Sequence, residues 1–363
     1  MSKFLVLPVF ILALIFISGC GSDDNQVKAP ENIALTAEVS TDGSGDVRFT
    51  ATADNASSYK FEFGDISGAT PKKSVSGVVD YTYEESGDYT VKVIAYANEE
   101  LSVSATKDIT VAVFITIPST GYVTPRQYAG YDSVWADEFD GDALNENFWS
   151  FETGGSGWGN NELEYYQKEN ASIVDGHLVI TAKAQNVGNR NYTSSRIITK
   201  GRQSVKYGRI DVRAVLPKGQ GIWPAIWTLG ENIGTVGWPK CGEIDIMEMI
   251  GGSGREKTVH GTAHYDDGGV YKSNGNHYDL PTGLLSDEFH VFTLIWTAEK
   301  ITWYIDDIQY HEMAITAANA EFKEQFFFIM NVAVGGNWPG LPDATLKFPQ
   351  RMIVDYIRVF QPQ

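Results

Sequence analysis

At 363 residues the chain is long for one domain and sufficient for two. Its 43% apolar and 20% charged composition is that of a globular protein, not a disordered one. With 28 Lys plus Arg against 46 Asp plus Glu, the formal net charge of −18 excludes a nucleic-acid partner, which needs a basic face, and suits neutral or cationic ligands. Its two cysteines, Cys20 and Cys241, fall in unlike surroundings, which excludes a disulfide framework.

Lys3 gives a short positive start, and Phe4 to Ile17 is an apolar run interrupted by Pro8. The run is short for a bilayer span and of the size of a signal-peptide core. It ends in Ile17-Ser18-Gly19-Cys20, which resembles a bacterial lipobox. That resemblance implies that residues 1–19 are removed, that Cys20 is acylated, and that residues 20–30 tether the protein to a membrane. Ser22-Asp23-Asp24 resembles the acidic tails that send some lipoproteins outward, so the expected location is the bacterial outer membrane or cell surface. The alternative is an ordinary secretory signal with an incidental cysteine.

All 9 tryptophans and all 6 histidines lie beyond residue 130, and this shift in composition marks a boundary over residues 117–130, a linker holding Pro118 and Pro125. Residues 31–116 carry short alternating runs such as Tyr89-Thr90-Val91-Lys92-Val93-Ile94-Ala95-Tyr96, separated by turn clusters such as Ser86-Gly87-Asp88. Such spacing predicts a small immunoglobulin-like β-sandwich. Tyr59-Lys60-Phe61-Glu62-Phe63-Gly64-Asp65, Tyr81-Thr82-Tyr83 and Gly87-Asp88-Tyr89 resemble a PKD-type domain, although the usual Trp before Phe-Gly-Asp is replaced. A generic immunoglobulin-like module is the alternative. No cluster of acids or histidines suggests chemistry there, so the module reads as a spacer.

Residues 131–363 carry longer strands. Arg209 to Leu216 alternates polar and apolar, and Phe289 to Trp296 with Lys300 to Asp306 predicts a hairpin. Phe326 to Val334 is nearly continuous apolar sequence, which predicts burial on both faces. Ile353 to Phe360 closes the chain. The expected fold class is all-β: after the small sandwich, a two-sheet jelly-roll-like sandwich with one sheet curved into a cleft.

The chemistry is concentrated in Cys241-Gly242-Glu243-Ile244-Asp245-Ile246-Met247-Glu248-Met249-Ile250-Gly251. In a regular strand Glu243 and Asp245 share a face, whereas Glu248, at offset five, points away. One extra residue, a β-bulge near Ile246-Met247, returns Glu248 to that face. A half-exposed structural strand is the plain alternative. Three acids with no Lys or Arg among them, however, repel one another and raise at least one pKa, which makes a proton donor available near neutral pH. Paired carboxylates, one ionised and one protonated, are the machinery of glycoside hydrolysis.

Glu-Ile-Asp-Ile-Met-Glu resembles the signature of glycoside hydrolase family 16 in its bulged, laminarinase form. Gly157 to Tyr166, Tyr192 to Arg196, Trp223 to Trp227, Trp238-Pro239, His260 to Tyr265, Asn331 to Gly340 and Asp355 to Val359 follow in the family order. The resemblance spans about residues 133–360 and rests on many ordered motifs. It implies a retaining endo-β-1,3-glucanase acting on laminarin-like or mixed-linkage glucan. Glu243 is then the nucleophile, Glu248 the acid/base, and Asp245 the residue that tunes Glu243. No cofactor is expected for the chemistry, and a monomer is expected. The same chemistry on lichenan, agar or carrageenan is the second reading, and a non-catalytic glycan-binding lipoprotein the third.

Sugar rings stack on indoles, so Trp223, Trp227, Trp238 and Trp338 are candidate platforms, with Asn161 and Arg196 as hydrogen-bonding candidates. His264 is a candidate beside the acids, with a structural histidine as its alternative. Trp296 and Trp303 lie in an alternating hairpin and read as core; Trp135 and Trp149 are left open. Cys241 reads as a small buried hydrophobe. The resemblance also implies a structural calcium away from the cleft, held by Glu138 through its backbone oxygen, Gly176 and Asp355.

Overall fold

The computed structural model describes residues 27–65 and 71–363. The signal segment and Cys20 lie outside the described residues. Residues 31–111 make two sheets. One orders β1 (Glu31–Val39), β2 (Asp46–Asp54) and β5 (Val78–Thr82) as β1-β2-β5. The other orders β3 (Ser58–Glu62), β4 (Lys72–Ser74), β6 (Gly87–Tyr96) and β7 (Ser102–Val111) as β4-β3-β6-β7. Alternation does the folding: Val91, Val93 and Ala95 point inward from β6 onto Phe49 and Phe61, while the residues between them face outward.

From Tyr131 onward two eight-stranded sheets face each other. The outer one holds β8 (Tyr131–Asp137), β11 (Ala171–Val174), β12 (His177–Ala182), β16 (Gly208–Val215), β21 (His290–Trp296), β22 (Lys300–Ile305), β23 (Ile308–Ala314) and β25 (Gln350–Pro362). The second holds β9 (Ser150–Glu152), β14 (Arg196–Ile198), β15 (Ser204–Val205), β17 (Ile222–Gly230), β18 (Glu243–Glu248), β19 (Thr258–Asp267), β20 (Val270–Asp279) and β24 (Phe326–Val334). Its order is β20-β19-β18-β17-β24-β14-β9. A parallel pair, β10 (Glu164–Tyr166) and β13 (Tyr192–Ser194), lies at one end. The fold is thus nearly all β, a sandwich of the jelly-roll kind.

The core between the sheets is built from inward side chains of both, among them Ile244, Ile246 and Met247 of β18 and Trp303 of β22. β24 is buried at every position, as its apolar run predicts. Each large apolar side chain buried there stabilises the fold by about 1.5–3 kcal/mol. Trp296 and Trp303 are core, and so are Trp135 and Trp149.

β16 differs from a half-exposed alternating strand. Asp211 and Arg213 point away from the core yet are 0% and 7% exposed. The segment 117–128 lies across them: Arg213 Nε donates to the Tyr122 carbonyl at 2.6 Å, and the Tyr128 hydroxyl donates to Asp211 at 2.7 Å. Arg358 Nη1 on β25 donates to the Thr124 carbonyl at 2.9 Å. Charged side chains on the sheet face thus satisfy the backbone of a segment that has no strand partner along most of its length.

Candidate active site

The bulge lies within β18. Ile226 pairs with Met247 but Trp227 pairs with Asp245, which leaves Ile246 as the extra residue. The same break separates Asp245↔Thr262 from Glu248↔His260 on β19. Glu243, Asp245 and Glu248 therefore face the cleft while Ile244, Ile246 and Met247 enter the core. The distortion is held from beneath, where Trp303 Nε1 donates to the Asp245 carbonyl at 2.8 Å. Gly261, opposite the bulge, leaves the room this needs: a Cβ there would meet Trp303 Cδ1 and the Tyr310 hydroxyl at 2.5 Å.

Each outer acid has its own indole donor. Trp238 Nε1 donates to Glu243 Oε2 at 3.0 Å, and Trp223 Nε1 donates to Glu248 Oε1 at 3.0 Å. Asp245, 2% exposed, has His264 Nε2 at 3.0 Å from Oδ2, and the same nitrogen lies 3.7 Å from Glu243 Oε1. His264 Nδ1 is in turn hydrogen-bonded to the Tyr271 hydroxyl at 2.8 Å. Burial, then the neighbouring Asp245 charge, pushes Glu243 and Glu248 up to about 8, and burial pushes Asp245 up to about 8. Near neutral pH this face therefore retains protons, so a carboxylic acid is available as a proton donor. Burial, then His277, lowers His260 to about 4, so the imidazole beside Glu248 is neutral.

The register of the sheet brings Trp223, Trp227, Arg196 and His264 to the same concave face as the acids, and Trp238 and Trp338 reach it from loops through Glu243 and Trp223. Trp238 and Trp338 are 50% and 39% exposed, the exposure a stacking platform needs. Trp223 meets Trp338 edge to face, and His260 flanks Trp338. Trp227 is half-buried, with the Arg196 guanidinium 4.7 Å above its ring. Arg196 is also paired with Glu152 at 2.5 Å, so it is less free for a sugar than the sequence suggests. Asn161 sits on the rim, its Nδ2 donating to Asn337 Oδ1 at 2.9 Å. Sequence reasoning missed His260, Glu152 and Asn331, placed by cross-strand pairing, and Tyr271, brought in by its bond to His264.

Glu243, Asp245 and His264 each offer one donor atom within 4.8 Å of the others, the one such side-chain group able to hold a metal among the described residues. On the outer sheet, Glu138 follows β8, Gly176 sits in the β11–β12 turn and Asp355 lies on β25, to which both β8 and β12 pair. Asp355 Oδ2 accepts from Arg213 at 2.6 Å, while Oδ1 has His177 Nε2 at 3.7 Å. The Glu138 carboxylate takes the fork of Arg358, and its backbone oxygen is the ligand that the family resemblance implies.

Comparison with known proteins agrees with this geometry. The sequence profile of glycosyl hydrolases family 16 matches residues 159–358. A β-glucanase of Rhodothermus marinus is 40% identical over 254 residues, covering 64% of this chain and 85% of that protein. A glucan endo-1,3-β-glucosidase A1 of Niallia circulans is 38% identical over 277 residues, covering 68% of this chain but 40% of that longer protein. The laminarinase catalytic domain of Thermotoga maritima MSB8 superposes with a TM-score of 0.60 at 46% identity, covering 64% of this chain and 99% of that domain.

Proposed function

Because the chain belongs to glycosyl hydrolases family 16, and so is a glycoside hydrolase, we propose that it cleaves β-1,3-glucan internally with retention of configuration. Laminarin-like and mixed-linkage glucans are the substrates its relatives' names favour. One observation carries the mechanism: two carboxylates on one strand face, each with a separate indole donor. Glu243 attacks the anomeric carbon as a carboxylate, while Glu248 gives its proton to the leaving oxygen. Glu248 then takes a proton from the water that releases the glycosyl-enzyme. Asp245, beside His264, tunes Glu243 through its charge. Trp223, Trp238 and Trp338 serve as stacking platforms.

Reducing-sugar release from laminarin, lichenan, agarose and carrageenan, with proton NMR of the first-formed anomer, tests this reading. Activity on laminarin with a β product is expected; an α product would remove Glu243 as nucleophile. Glu243→Ala and Glu248→Ala should each lower kcat by several orders of magnitude. On an activated aryl glucoside, azide should accelerate the Glu248 variant by replacing the missing base, whereas the activated substrate alone should not rescue the Glu243 variant.

The remaining parts follow the sequence. Cys20 is proposed as a lipidated anchor at the outer membrane or cell surface; Cys20→Ser should then move the protein to the soluble fraction at unchanged specific activity, and an already soluble wild type would reject the anchor. Residues 31–116 are proposed as a PKD-like spacer on a monomeric enzyme. A structural Ca²⁺ is proposed at the Glu138 and Gly176 carbonyls and the Asp355 carboxylate, hard oxygen donors that suit the ion. A melting temperature indifferent to EDTA and to added Ca²⁺ would reject it.

A further inference from the structure

Trp227 is not free on the cleft floor. Its Nε1 donates to Asn331 Oδ1 at 2.8 Å, Asn331 Nδ2 donates to the Tyr166 hydroxyl at 3.0 Å, and that hydroxyl donates to Glu162 Oε2 at 3.0 Å. The order of donors is forced. An indole N–H can only donate, so Asn331 must turn its oxygen to Trp227 and its nitrogen to Tyr166. With the phenol oxygen accepting, its proton goes to the carboxylate. Tyr166, Glu162 and Asn331 are 0%, 3% and 5% exposed, so water does not compete for these bonds. Burial, then the charges of Glu164 and Glu162, pushes the Tyr166 phenol well above its ordinary range, so it remains a donor.

The second oxygen of Glu162 accepts from Asn160 Nδ2 at 3.0 Å, and the Asn160 carbonyl accepts the Asn337 amide at 2.8 Å. One buried carboxylate therefore joins the Trp227 floor to the loop that carries Trp338. Among the described residues, no hydrogen bond or ion pair joins Glu162 or Tyr166 to the three cleft acids.

We propose that Glu162 and Tyr166 are positioning residues that act through Asn331 to set the Trp227 ring and, over its face, the Arg196 guanidinium on the glucan-binding floor of the cleft. This rests on the reading of function above. The expected signature is therefore one of binding, not of proton transfer or nucleophilic attack.

In the full chain, Tyr166→Phe removes one hydroxyl and should raise KM for a β-1,3-gluco-oligosaccharide about five- to tenfold while kcat stays within about twofold. Trp227→Phe should raise KM too, and adding Tyr166→Phe to it should cost nothing further, because both changes act on one ring. Glu162→Leu keeps much of the volume but removes both acceptors, so it should reproduce the KM rise. It carries the test if the Phe variant fails to fold. An unchanged KM in the folded variants, or effects that multiply in the double variant, would overturn the inference. A wild type inactive on β-1,3-glucan would instead fail the functional reading, before any variant is made.

Discussion

Trp223→Phe and Trp238→Phe should separate the two catalytic acids on the pH axis. Trp223 Nε1 donates to Glu248 at 3.0 Å, and this bond is stronger to the ionised carboxylate than to the neutral acid. Removing it destabilises the ionised form and raises the Glu248 pKa further above its ordinary range. A hydrogen bond to a charged acceptor contributes about 1.5–3 kcal/mol, and one pKa unit is about 1.4 kcal/mol. The neutral acid retains part of the bond, so a rise of about one unit is expected. Glu248 must be protonated to act, so its ionisation forms the alkaline limb of kcat/KM, and that limb should move up. Trp238 holds Glu243 in the same way, but at 50% exposure water replaces much of its bond. Its removal should move the acidic limb, where Glu243 gains a proton, up by about half a unit. The assay is kcat/KM on a soluble glucan from about pH 4 to about pH 10. An alkaline limb that stays put or falls in the Trp223 variant, or that moves in the Trp238 variant, would refute the assignment of roles.

Asp245→Asn removes the charge that, after burial, raises both Glu243 and Glu248, so both limbs should shift downward together, with a loss of kcat smaller than for either glutamate; a shift of one limb alone would contradict the shared repulsion. A chain beginning at Pro118 should keep hydrolysis of soluble glucan nearly intact. One beginning at Tyr131 loses the partners of Arg213, Arg358 and Asp211, a destabilisation of about 3 kcal/mol, which lowers Tm by about 6–12 °C. Equal melting temperatures by calorimetry would show that the segment 117–130 contributes nothing.

The part of the site legible in the sequence is the part that one strand carries. Period-two alternation and one unrelieved run of acids locate Glu243, Asp245 and Glu248, and parity alone demands the bulge that the pairing at Ile246 displays. The long apolar run of β24 likewise announces a strand buried on both faces. What the sequence hides is register. Nothing local says that His264 lies opposite Glu243 or His260 opposite Glu248, because both follow from the pairing of β19 with β18. Glu162 and Glu164 sit among polar rim residues yet are 3% and 0% exposed, since their partners Tyr166 and the Val334 amide come from β10 and β24. Arg213 and Asp211 on β16 look like an outward polar face until the segment 117–128 covers them.

The bulge separates two properties that a regular strand ties together. Without Ile246 the strand would read Glu-Ile-Asp-Met-Glu, and its acids, at alternate positions, would still share one face. The inserted residue therefore changes neither the face nor the step: Asp245 and Glu248 stand opposite Trp227 and Ala225, two positions apart, and the extra length is taken up between them, where the Asp245 carbonyl meets Trp303. Three residues of chain cover a two-residue step, and the surplus of about 3.3 Å of contour goes into local bend and twist rather than into distance between the acids. A strand of this kind works as a splice: it admits one more core side chain, Ile246 beside Met247, without moving the donor relative to the nucleophile.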